Sequence, residues 1–326
     1  MDFSSIFQQE ISEYLCVRKV SLSKSTYDKE YCCLKEFDKY IFSNTISFKE
    51  LSEGTITGWI SSLQGKSSSI AIKVFIISKF LKYLNVAGIN VYVPPIPKAS
   101  DDYIPYIFSD DELDVIFKLA DEIKMTSLQH NPYIQLEFPM LLRIMYGCGL
   151  RVGEAVSLRM RHVDLDGGIL TLVETKGYKE RFVPMKFSLT QILYKYCFAM
   201  GLIGKSEEYL FPTSIEYEHL STHAAFYRFK HILNQAGIIL PNRKKHERGP
   251  CLHCIRHVFV LKSFRNTEKL GRRIDDSIPY LSIYLGHDSL QETEKYLKFS
   301  SELFPDAIAL FEQYTVDLFP EVDYEK

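Results

Sequence analysis

No run of apolar residues in this 326-residue chain approaches the roughly 18 that a membrane span needs. The first residues, MDFSSIFQQEISEYL, lack the basic segment followed by an apolar stretch that marks a secretory leader, so no membrane partner and a cytoplasmic location are expected. Cysteine is sparse: seven, at positions 16, 32, 33, 148, 197, 251 and 254. An odd number scattered through a long chain argues for reduced thiols rather than a disulfide framework. Cys251-x-x-Cys254 has His246, His253 and His257 nearby but no second pair at finger-like spacing, so no metal site is expected. Neither an internal repeat nor a low-complexity tract is present. Net charge is only −2, which taken alone argues against a polyanionic partner.

That average hides an asymmetry. Residues 241–273 hold ten Lys/Arg against two Glu, whereas residues 300–326 hold seven Asp/Glu against one Lys. A basic segment beside an acidic tail suggests a polyanion for the first and protein contact for the second. With 46% hydrophobic residues, the chain can bury one large core or, more in keeping with its length, two.

The spacing of Ile70, Val74, Ile77, Leu81 and Leu84 predicts an amphipathic helix over 67–86, with Lys79 and Lys82 away from its apolar stripe. Further helices are predicted over 3–17, 25–42 and 54–64. The stretch VYVPPIPKASDDYIP has four prolines and continues neither helix nor central strand, so 94–108 reads as a linker after a helical bundle at 1–93. Ser109 and Glu112 then form a capping box. Helices are predicted over 137–147, 152–160, 188–200, 221–236, 253–265, 277–285 and 302–317, with a β-hairpin over 167–185. The fold class is mainly α with a small β-sheet.

Four places stand out as able to carry chemistry, although each also fits a structural role. In GCGLRVGE, Arg151 opens a helix whose N-terminus already favours an anion, with Glu154 one turn on to compensate it. Lys176 sits at the tip of the hairpin. In CLHCIRH, His253 and Arg256 are three apart on one helix face, pairing a proton acceptor or donor with a bidentate phosphate clamp. His287 follows a glycine that lets the chain turn, and Tyr296 comes nine residues later. Ser289 and Glu292 read as a capping box, so a helix should begin after Asp288 and hold Tyr296 about two turns in. On its own that tyrosine serves equally as packing, as a hydrogen-bond donor or as a nucleophile.

Read in order, GLRVGE, TKG…KERFVP, HCIRH, LGH and the following tyrosine resemble the tyrosine recombinase (phage integrase) family. The resemblance spans about residues 105 to 300, and the helical first region looks like the family's SAM-like core-binding domain. It implies a catalytic α+β domain over 109–326 and a site-specific recombinase that cuts and rejoins DNA through a 3′-phosphotyrosine without metal, ATP or other cofactor. Carried over residue by residue, Arg151 and Arg256 would hold the scissile phosphate, and Glu154 would brace Arg151. His253 would help deprotonate Tyr296, the nucleophile, while Lys176 would protonate the leaving 5′ oxygen. His287 would hydrogen-bond the phosphate and orient the site.

The resemblance further implies double-stranded DNA at a specific site as the partner, a tetramer on DNA docked through the 302–317 helix, and accessory directionality proteins as further partners. Because the helical domain begins almost at residue 1, a transposon, plasmid or chromosome-dimer-resolving enzyme is expected rather than a larger phage integrase. On charge alone, Lys79, Lys82, Arg243, Lys244, Lys245, Arg272 and Arg273 are candidate DNA-backbone contacts. Two alternatives share the features: a silent DNA-binding regulator of the same fold, and a topoisomerase of type IB that relaxes DNA as a monomer. The sequence departs from the family where Ile255 replaces the frequent leucine before the arginine, and in a somewhat long segment between Arg256 and His287.

Overall fold

The computed structural model describes residues 3–44, 46, 51–99, 105–124, 131–173, 180–213, 218–238 and 249–297. Lys176, Arg243, Lys244, Lys245 and the expected helix over 302–317 lie outside the described residues. Contacts divide the chain into two units, Met1–Tyr103 and Ile104–Lys326. The division falls within the 94–108 stretch.

The first unit contains α1 (Gln8–Ser21), α2 (Lys24–Ser43), α3 (Glu53–Ser62) and α4 (Ser67–Val86). The apolar stripe of α4 does what its period requires: Val74, Ile77, Leu81 and Leu84 are all fully buried, in a core with Ile11, Leu34, Phe37 and Trp59. The first helix starts five residues later than its pattern suggests. The buried carboxylate of Asp38 accepts the backbone N–H groups of Ser4 and Ser5 at 2.8 and 3.0 Å, which holds those residues in a turn. A second buried acid, Glu30, takes a bidentate pair from Arg18 at 2.9 and 2.7 Å.

The second unit begins with α5 (Asp110–Asp121), whose Ser109–Glu112 capping box is formed in both directions. It continues with α6 (Ile134–Cys148) and α7 (Val152–Val156). An antiparallel sheet follows, β1 (Val163–Asp164), β2 (Ile169–Val173) and β3 (Glu180–Pro184), in the order β1-β2-β3. The longer elements that follow among the described residues are helices: α8 (Phe187–Ala199), α9 (Thr222–Gln235), α10 (His253–Lys269), α11 (Ile274–Leu285) and α12 (Leu290–Glu294). The core is built on α6, where Phe138, Leu141, Leu142, Ile144 and Met145 are fully buried and which packs against α5, α8 and α10. Among the described residues no helix is long and apolar enough to cross a membrane.

Three local features place the site. Helix α6 ends at Gly149 and α11 at Gly286, each with a φ of 63°, a left-handed conformation that glycine adopts without strain. At Gly149 a side chain is also barred by space, because an added Cβ would overlap the Phe259 ring. On β3, Val183 faces inward opposite Leu170, so the two-residue period turns Arg181, opposite Leu172, to the same face.

Two expected helices are shorter than their patterns. Helix α7 stops at Val156 rather than running to 160, because Leu158, Met160 and Arg161 instead exchange backbone hydrogen bonds with residues 206–210 at 2.7–2.9 Å. Helix α12 stops at Glu294, so Tyr296 lies beyond it rather than two turns inside, and Ser289 makes no side-chain cap. The Tyr296 N–H bonds to the Thr293 carbonyl at 3.1 Å. That tighter turn carries the phenol ring, 7% exposed, into an apolar cluster with Val260, Leu261, Phe264, Ile278 and Leu285.

Candidate active site

Three arginines, from three different elements, converge on one carboxylate. Glu154, in the first turn of α7, accepts the Arg151 backbone N–H at 2.7 Å and its guanidinium at 2.9 Å. Arg181, on β3, lies 2.9 Å from Glu154, and Arg256, on α10, lies 3.8 Å away. Burial by itself would raise the Glu154 carboxyl. The hydrogen bonds from Arg181 and from the Arg151 backbone outweigh it and hold the group below the usual carboxylate range.

The same three side chains also close the end of α11. Arg181 Nε donates to the Tyr284 carbonyl at 3.1 Å, Arg256 Nη2 to the Leu285 carbonyl at 2.8 Å, and the Arg151 guanidinium to the Gly286 carbonyl at 3.3 Å. Carbonyls at a helix C-terminus have no partner within the helix and carry its negative end, so cations are the fitting caps. Arg256 reaches in addition to the carbonyl of Gly149, at 2.7 Å, and is only 1% exposed. A cavity of about 500 Å³ opens beside Arg151, Glu154, His162, Thr171, Arg181 and Asp288.

His287 follows Gly286, and its N–H completes the helix end by bonding to the Ser282 carbonyl at 3.0 Å. Its Nε2 lies 3.0 Å from Arg256 Nη2 and its Nδ1 2.7 Å from the hydroxyl of Thr293, itself fully buried. A guanidinium can only donate, so Nε2 accepts and Nδ1 carries the proton to Thr293; this assignment follows from the network. Burial and the neighbouring Arg256 and Arg151 push the imidazole down to about 4, so it is neutral at physiological pH.

The Tyr296 ring packs on two imidazoles, that of His287 nearly parallel at 6.4 Å and that of His257 at 5.2 Å. Burial raises the phenol above its ordinary range. Arg256, by charge and by a hydrogen bond, and Arg151 pull it down without cancelling that rise. The phenol is therefore held protonated, and the positive charge of the two guanidinium groups alone does not ionise it.

His253, the first residue of α10, is exposed, with its ring 4.7 Å from that of His257. Arg151, Glu154, Arg256, His287 and Tyr296 thus meet in one place, joined to His253 through His257. Lys176 belongs to the β2–β3 connection, outside the described residues. Of the candidate DNA contacts, Lys82 on α4 and Arg272 and Arg273 between α10 and α11 are exposed. Lys79 stands over the Phe75 ring and 3.7 Å from Glu30.

The sequence pattern passes over three members of this site. Arg181 is signalled only by the alternation of β3. His257 is signalled by its place four residues from His253, hence on the same helix face. Thr293 has no signal in the sequence.

A helical first unit and an arginine-rich centre beside a buried tyrosine fit a DNA strand-transfer enzyme, and comparison with known proteins gives the class. The profile of the phage integrase family matches residues 110–302. The chain belongs to the phage integrase family, the site-specific tyrosine recombinases that transfer DNA strands. A tyrosine recombinase of Pseudothermotoga lettingae is 28% identical over 306 residues, covering 92% of this chain and 96% of that protein. Tyrosine recombinase XerC of Staphylococcus aureus is 24% identical over 82% of this chain and 84% of that protein. Two solved structures share the fold. One is the XerH site-specific recombinase bound to palindromic difH substrate in a post-cleavage complex, with a TM-score of 0.68 and 19% identity over 92% of this chain and 84% of that one. The other is a lambda integrase dimer bound to a COC′ core site, with a TM-score of 0.65 and 15% identity over 92% of this chain and 79% of that one.

Proposed function

We propose that this protein cuts and rejoins double-stranded DNA at a specific site, with Tyr296 as the nucleophile that forms a 3′-phosphotyrosine. The observation that carries the reading is the position of that phenol, buried against two imidazoles and under the charge of Arg256, which lowers its pKa against the rise from burial. Arg256 and Arg151 hold the non-bridging oxygens of the scissile phosphate and compensate the charge that grows there in the transition state. Glu154 braces both. His287, through its Nε2, sets the Arg256 guanidinium and hydrogen-bonds the phosphate once an anion has made it more basic. His253 takes the phenolic proton, and Lys176 gives a proton to the leaving 5′ oxygen.

Because the phosphotyrosine ester conserves the energy of the broken bond, strands are exchanged without ATP or metal. Four protomers act on two duplexes, docked through the 302–317 segment, in the cytoplasm, with accessory proteins setting direction. The test is covalent trapping. Nicked duplexes drawn from the DNA flanking the gene are incubated with the protein, without metal or ATP, and resolved on a denaturing gel beside Tyr296→Phe. An adduct with the native protein alone supports the reading; an adduct that survives Tyr296→Phe overturns the nucleophile.

A further inference from the structure

We infer that His257 relays the phenolic proton of Tyr296 to His253. The inference rests on the reading of Tyr296 as nucleophile and of His253 as the residue that receives its proton. It starts from an anomaly. His257 is 6% exposed, yet neither of its ring nitrogens has a hydrogen-bond partner among the described residues. Leaving both polar ends of a buried imidazole unsatisfied costs stability, and such a group in a folded protein calls for an explanation.

The two ring contacts supply one. His257 packs on Tyr296 at 5.2 Å and on His253 at 4.7 Å, so the imidazole stands between the buried phenol and a histidine exposed to water. The titratable and charged groups around it are His253 and Arg256 on its own helix and Tyr296 beyond α12. Burial, with His253 and Arg256, pushes its basicity down to about 3. A group so reluctant to hold a charge is a poor resting place for a proton, but it can pass one through.

The step balances. Once bound DNA has tightened the two ring contacts into hydrogen bonds, which the described residues do not make, the Tyr296 hydroxyl gives its proton to one nitrogen of His257 as the proton on the other nitrogen moves to His253. The phenolic oxygen then forms its bond to phosphorus. The phosphorus–O5′ bond breaks with its electron pair going to O5′, which takes a proton from the general acid. His257 ends neutral as the other tautomer, and His253 ends as an imidazolium that water discharges.

The experiment measures single-turnover formation of the covalent adduct on the nicked duplex, from pH 6 to about pH 10, with the full chain and with His257→Phe, which keeps a ring and removes both nitrogens. At neutral pH the variant should be slower by about a hundredfold, the scale of proton-transfer catalysis, with DNA affinity unchanged. The deficit should close as the pH nears the phenol's own range, where hydroxide replaces the relay. His253→Ala added to His257→Phe should cost nothing further, because both interrupt one path. A native rate at neutral pH, a deficit that stays constant with pH, or losses that multiply in the double variant would each overturn the relay. Should the phenylalanine variant fail to fold, His257→Gln carries the same comparison: its amide fills the site but cannot exchange protons between two nitrogens. An adduct retained by Tyr296→Phe would remove the nucleophile assignment instead, a result distinguishable from failure of the relay alone.

Discussion

Arg151 and Arg181 pair with the same atom: Nη1 of the first and Nη2 of the second each lie 2.9 Å from Oε1 of Glu154. A single carboxylate oxygen thus fixes a proposed phosphate-binding side chain by way of a residue on the sheet. Arg181→Ala should therefore lower both stability, by about 3–5 kcal/mol for a broken buried pair, and the rate of adduct formation. Arg181→Lys should recover part of the stability and little of the rate, since one ammonium cannot reproduce a fork that spans Glu154 and the Tyr284 carbonyl. Thermal unfolding and single-turnover cleavage, measured side by side, check both halves.

Glu137 is fully buried in α6 and accepts one hydrogen bond, from Asn131 at 2.5 Å. Burial pushes its carboxyl up to about 7, against a small opposing pull from Asn131. A carboxyl whose folded pKa exceeds its unfolded one favours folding while it is protonated. Stability should accordingly fall as the pH rises from the unfolded value, about 4.3, to about 7, and stay lowered above that. Glu137→Gln keeps the acceptor for Asn131 and removes the charge. It should stabilise the protein by on the order of 3 kcal/mol at pH 8, do nothing at pH 4, and flatten denaturant midpoints between these limits.

Gly149→Ala meets two obstacles, a left-handed backbone and the Phe259 ring. The expected loss is about 1–3 kcal/mol, together with slower cleavage, because the carbonyl that anchors Arg256 shifts. Substitution at the open, left-handed Gly237, where an added Cβ meets nothing within 4 Å, should cost stability alone.

DNA affinity should fall steeply with salt. If Lys82, Arg272 and Arg273 each neutralise a phosphate, replacing any one by Ala should lower the slope of log affinity against log salt by about 1, nearly independently of sequence. Filter binding at several salt concentrations reads this directly, and an unchanged slope removes that residue from the interface.

Features set by short-range chemistry were legible in the sequence. The Ser109–Glu112 box, the stripe of α4 and the span of α8 depend on residues within one or two turns of each other. The ordered series Arg151, His253-x-x-Arg256, His287 and Tyr296 was legible through its resemblance to a family. The rest depended on distant parts of the chain. Helix α7 has a pattern that continues, but backbone partners some fifty residues away take its end. Tyr296 leaves its helix because an apolar cluster from α10 and α11 receives the ring. His257 looked like a neighbour of the motif. Only the packing of α10 against the turn after α12 sets it against the tyrosine.

Many phosphate sites are lined by helix N-termini, whose free N–H groups attract the anion before any side chain acts. Here two helices present their opposite ends, with the carbonyls of Gly149, Tyr284, Leu285 and Gly286 turned toward the arginines. These four carbonyls repel an anion, and among the described residues the guanidinium groups of Arg151, Arg181 and Arg256 counter them. Removing one of them should do more than delete an attraction, since a phosphate held there as proposed would then face bare carbonyl oxygens. Tolerance for a lost arginine is correspondingly low, and a neutral side chain of the same shape is no substitute for the charge.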